Sequence, residues 1–136
     1  MARLVDRFPE VAAYPPIRAE FRAQRGLTRT DAGQFDGARD DLEAARRFFA
    51  DQAERSKDSP APLQQLGRIT GDLARLVVRQ GRVEEARGLY QRAIEAQERA
   101  LSLAPGSVED KDLLARHRAD LKSLNARSTR RPPAYH

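Results

Sequence analysis

Twenty-two arginines against three lysines give this 136-residue chain its most distinctive chemistry. A guanidinium presents a planar fork of donors that grips a carboxylate or a phosphate through two parallel hydrogen bonds, whereas an ammonium acts as a point charge. With 20 acids the formal net charge is +5 and the isoelectric point is near 10.2, a balance suited to acidic peptides, phosphates or nucleic acid. Interspersed charge is also what an ordinary solvated surface carries. The residue types that catalyse reactions are scarce. There are two His and no Cys, so disulfides and thiolate zinc sites are excluded. No phosphate-cradling glycine loop and no His pair at metal-binding spacing occurs. The acids Asp36, Asp40 and Asp41 share a helix face near its start, where carboxylates complement the helix dipole without forming an active site. We assign no catalytic, cofactor-binding or metal-ligating residue and expect a protein that is not an enzyme.

The elements that would present the arginines follow from composition. Leu, Ile, Val and Phe make up only about a fifth of the chain, but the abundant Ala favours helices that approach closely. An offset of 48 maps apolar or small positions onto one another. Phe21 goes to Ile69 and then His117, Phe35 to Val83, Ala38 to Ala86, Leu42 to Tyr90, Ala45 to Ala93, Leu66 to Leu114, and Leu73 to Leu121. Within a unit the spacing is helical, as in Leu66, Ile69, Leu73 and Leu76. Each copy reads as a pair of helices with Gly33 or Gly81 at the turn, where a positive φ is needed. Pro60, Pro62 and Pro105 read as terminators of the second helices, and Ser107 with Asp110 as a capping box for the last one. The expected helices are a short one up to about Arg7, then about Ile17 to Asp31, Phe35 to Lys57, Leu63 to Gln80, Val83 to Leu103 and Val108 to Ala126.

The expected domain is residues 1–126, followed by a basic, proline-containing tail, 127–136, without regular structure. Pairs four apart, Glu43 with Arg47, Asp51 with Arg55, Glu95 with Arg99 and Asp112 with Arg116, are expected on exposed faces. His117, in the register of Phe21 and Ile69, reads as a packed or capping residue. Tyr90 and Phe35 fall in the core register, which removes them as stacking platforms for bases. Arg3, Asp6 and Arg7 are incompatible with the apolar region of a secretory leader, and no apolar run approaches the ~18 residues of a membrane helix. A soluble, cytoplasmic protein with no membrane partner is expected.

The stretch from Gly67 to Ser107 resembles the tetratricopeptide repeat, and more closely the long variety of kinesin light chains and many bacterial arrays. The resemblance is carried by Gly81, Val83, Glu84, Glu85, Ala86, Leu89, Tyr90, Arg92, Ala93, Ile94 and Pro105. The earlier copy keeps Gly26, Gly33, Phe35, Ala38, Leu42 and Ala45, with Gly26 in the small-residue place that Ala74 takes in the second copy. It departs from the family at Arg25 and Arg29, where apolar or aromatic residues are usual, which points to a tilted or poorly packed first helix. The opening segment RLVDRFPEVAAY resembles the end of a preceding second helix, so the chain reads as the last part of a longer array or as one starting with a truncated unit.

The resemblance implies an all-α, right-handed solenoid of antiparallel helix pairs with about two and a half repeats. It also implies that first helices line a groove, toward which Arg68, Arg75, Arg79, Arg116 and Arg127 would face. The expected function is a non-catalytic interaction module or assembly subunit, its partner another protein engaged through an acidic or carboxylate-bearing segment. Two alternatives stay open. One is a structural subunit packed in an oligomer or larger complex, with Leu4, Val5 and Phe8 covered by a neighbour. The other is a basic helical nucleic-acid binder using Arg127, Arg130 and Arg131.

Overall fold

Two left-handed turns punctuate the chain at the same register. Gly33 has φ 77° and Gly81 φ 78°. In the first turn Gly33 N–H donates to the Thr30 carbonyl at 3.0 Å and Gln34 N–H to Arg29 at 2.8 Å; in the second Gly81 N–H donates to Val78 and Arg82 N–H to Val77, both at 2.9 Å. These bonds satisfy carbonyls that a helix end leaves without partners, and they reverse the chain sharply. The result, in a computed structural model that describes residues 14–129, is α1 (Pro15–Asp31), α2 (Phe35–Arg55), α3 (Pro60–Arg79), α4 (Val83–Leu103) and α5 (Val108–Thr129). The expected helix up to Arg7, the apolar Leu4, Val5 and Phe8, and the tail residues Arg130 and Arg131 lie outside the described residues.

Each helix packs on the next, and α3 also touches α1 and α5, so the first helices of successive pairs stand side by side. This is the expected all-α solenoid, two pairs and a closing helix among the described residues. Small residues set the approach. Ala38, Ala45, Ala74, Ala86 and Ala93 are fully buried, and a Cβ on Gly26 would lie 2.8 Å from Leu42 Cγ. Leu42, Ile69, Leu73, Leu76, Val77 and Tyr90 complete the core between them.

Three local expectations are corrected. Pro60 and Pro62 open α3 rather than close α2; proline is tolerated there because first-turn N–H groups have no helical acceptor. The break falls instead at residues 56–59. Arg127 belongs to α5, which runs on through Thr129. Glu43 pairs with Arg46 at 2.8 Å, not Arg47, while Asp51 and Arg55 pair as expected at 3.0 Å.

The first helix is well packed, and its contact face combines small apolar residues with a charged cluster. Ala19, Ala23, Gly26 and Thr30 are buried against α2, and beside them Asp41 receives Arg25 Nε at 2.8 Å, a second Arg25 nitrogen at 2.6 Å and Arg29 at 2.9 Å. Asp41 is therefore not a dipole-facing surface acid. One repeat period later the same three positions are Leu73, Val77 and Leu89, all buried. A charged clamp in the first pair occupies the places of an apolar trio in the second.

Candidate partner-binding groove

On α3 the residues Gln65, Arg68, Asp72, Arg75 and Arg79 recur at three- and four-residue steps, which puts them on one helical face. Arg68 donates to the Gln65 side chain and Arg75 to the Asp72 carboxylate. Arg79 is used elsewhere. One of its nitrogens donates to the Thr30 carbonyl at 2.6 Å, at the end of α1, and its guanidinium lies 5.2 Å from the centre of the Phe35 ring. That side chain ties the first turn to α3, combining a carbonyl cap with a cation–π contact.

The start of α5 is held by a buried polar network. The Ser107 hydroxyl accepts the Asp110 N–H at 3.2 Å, as the expected cap requires, but the Asp110 carboxylate turns inward rather than back onto Ser107. It accepts from Gln64 Nε2 at 2.7 Å. The Gln97 amide of α4 completes it when oriented as its neighbours require, its nitrogen then donating to Asp110 at 2.9 Å and its oxygen accepting the Arg68 N–H at 3.2 Å. Gly67 makes room, since a Cβ there would collide with the Gln97 side chain. Halfway along α5, His117 is buried against Gly71, where a Cβ would collide with the imidazole. Its Nδ1 has no hydrogen-bond partner among the described residues. Burial, then the nearby Arg75, depress its pKa to about 4, so the ring is a packed, neutral one.

Between these two helices lies an open cleft of about 470 Å³, lined by Arg68, Val108, Glu109, Asp112, Leu113 and Arg116. Arg116 has no hydrogen bond or ion pair among the described residues, and Val108 is 68% exposed. Of the five arginines expected to face a groove, Arg68 and Arg116 share this cleft, whereas Arg75 is not among its lining residues and pairs with Asp72 on its own helix. Arg127 is exposed on α5 and acts with Arg75 on the Tyr90 hydroxyl. Burial dominates there and pushes Tyr90 up to about 12, which leaves it a neutral core residue. Arg79 stands apart. The cleft also carries acids, Glu109 and Asp112, so its charge is mixed rather than uniformly basic.

Paired helices with glycine-turned, alanine-packed contacts at a fixed period define a helical-repeat protein of the kind that presents a surface for other proteins. Residues 66–108 match the tetratricopeptide repeat family, and in this segment Gly81 makes the turn while Ala86, Tyr90 and Ala93 are buried at the helix contacts. No curated protein and no solved structure matches the chain.

Proposed function

We propose that the chain is a non-catalytic protein-interaction module that takes an acidic or carboxylate-bearing segment of a partner between α3 and α5. The observation that carries this reading is the pairing of Arg68 and Arg116, which hold equivalent places in successive repeat units, in one cleft beside Val108 and Leu113. Two guanidinium forks can bracket a carboxylate while the apolar residues cover an aliphatic side chain next to it. Glu109 and Asp112 would reject a uniformly acidic stretch, so an isolated carboxylate flanked by apolar residues fits better. We also read the repeat as the long, kinesin-light-chain-like variety, because α3 and α4 run to 20 and 21 residues against a common repeat of ~34 for both helices and turns together.

Fluorescence anisotropy with a labelled peptide carrying one glutamate flanked by leucines tests the groove. Binding should weaken with added salt and disappear in the Arg68→Glu, Arg116→Glu double variant with helicity unchanged. Unaltered binding by the double variant would exclude the cleft. A structural subunit is the second reading, favoured by exposed Leu103 and Val108 flanking the α4–α5 turn. A mass in solution that rises with concentration would support it over a peptide-binding monomer.

A further inference from the structure

One buried acid lacks a partner set of the kind that Asp41 and Asp110 possess. Asp72 is 5% exposed, in the middle of α3, and it accepts its hydrogen bond from Arg75 on its own helix. Arg68 stands one turn before it, and the packing of His117 on Gly71 sets Arg116 of α5 alongside, so the charges of both cleft arginines favour its ionised form. Arg75 and the two cleft arginines therefore already act on a carboxylate that belongs to the chain and is not itself part of the cleft's lining. The register repeats the arrangement, because Arg68, Asp72 and Arg79 are followed one period later by Arg116, Asp120 and Arg127.

We infer that Asp72 is an internal competitor that sets the affinity and charge selectivity of the groove, its carboxylate occupying the field of Arg68, Arg75 and Arg116 that an incoming carboxylate would use. This rests on the reading of the α3–α5 cleft as the binding site. The carboxylate is a poor structural choice in that place. Burial opposes its charged form more strongly than Arg75 and its neighbours favour it, and its pKa is raised accordingly. An amide of the same shape would keep an oxygen for Arg75 without the desolvation cost of a charge. The charge on Asp72 thus does little for the fold, while it cancels part of the attraction that a ligand carboxylate would meet.

The test is the Asp72→Asn variant, titrated with the same glutamate–leucine peptide and with a glutamine–leucine peptide of equal length. The acidic peptide should bind roughly three- to tenfold tighter than to the parent, and the neutral peptide should be unchanged. Asp72→Ser is the second variant should the amide reduce helicity by circular dichroism. Equal or weaker binding of the acidic peptide, or equal tightening of both peptides, overturns the competitor role alone, provided the parent binds and the Arg68→Glu, Arg116→Glu variant does not. Binding by the Asp72 variant where the parent shows none supports it. No binding by either protein overturns both the competitor and the groove.

Discussion

Replacing Asp41 by Ala strips the α1–α2 contact of the one carboxylate that three guanidinium hydrogen bonds share. Asp41's side chain is 3% exposed, so its loss cannot be compensated by water at the acid's own position. The two partners differ, for the Arg25 and Arg29 side chains are 50% and 34% exposed and can rehydrate in part. Breaking a fully buried pair costs ~3–5 kcal/mol, and partial rehydration of both arginines lowers the expectation to ~2–3 kcal/mol. Urea unfolding followed by circular dichroism measures it. A second variant copies the apolar trio of the next pair, as Arg25→Leu, Arg29→Val and Asp41→Leu together. It removes the desolvation penalty of the acid but leaves a leucine half exposed at position 25, so its stability should lie within ~1 kcal/mol of the parent. The pH dependence gives an independent check. Hydrogen bonding from Arg25 holds the Asp41 carboxyl below its ordinary range, against the opposing effect of burial. Its folded pKa is then below the unfolded one, so the stabilisation is complete above the unfolded value of ~3.9 and is lost as pH falls through the folded value. Asp41→Asn should lose that acid-side slope. A cost for Asp41→Ala no larger than the ~0.5 kcal/mol of an ordinary surface substitution, or a triple variant that fails to fold, would refute the clamp as a substitute for the apolar trio.

Acid should also act through His117, with the sign set by its depressed folded pKa of about 4 against 6.5. The unfolded chain takes up the proton first, so stability present above 6.5 falls as pH drops toward 4, by ~3 kcal/mol, and the His117→Phe variant measured over the same range should lack this slope. Arg75 of α3 and Arg116 beside it oppose protonation and Asp120 favours it, so the absence of a slope would show that the ring is solvated, and a slope of opposite sign that Asp120 holds it protonated. At the fully buried Ala86, substitution by Leu should overpack the contact between helices and cost ~1–3 kcal/mol, read as a lowered unfolding midpoint.

The fold was largely legible because its requirements are local or periodic. A helix reversal needs positive φ, which selected Gly33 and Gly81, and close helix contact needs small residues, which selected Gly26, Ala38, Ala74, Ala86 and Ala93. Pro60 and Pro62 misled because a proline stops a preceding helix and starts a following one with the same ring. The polar contacts were less legible, although the repeat register carried their signal. Arg25, Arg29 and Asp41 fall on Leu73, Val77 and Leu89, and Gln97 falls on Phe49; a polar residue in a core register has to meet a partner there. The register marks such positions but leaves the partners open. Asp41 meets residues 12 and 16 positions away and Asp110 one 46 away, distances set by how helices stack.

The same distinction decides what the arginine excess means. Charge counted along the sequence suggests a basic surface, yet many of these side chains are committed within the molecule. Arg25 and Arg29 hold Asp41, Arg39 holds Glu85 across α2 and α4, Arg46 holds Glu43, and Arg79 caps α1. What a partner meets is the remainder, and its position matters more than its number. Arg116 makes no ion pair among the described residues, Arg68 is hydrogen-bonded to a glutamine, and both open onto the cleft between α3 and α5. On the proposed reading, two available forks beside exposed Val108 would recognise a short, singly charged feature, whereas a field of unpaired arginines would bind any polyanion. An affinity for duplex DNA comparable to that for the glutamate–leucine peptide, at the same salt concentration, would contradict this accounting.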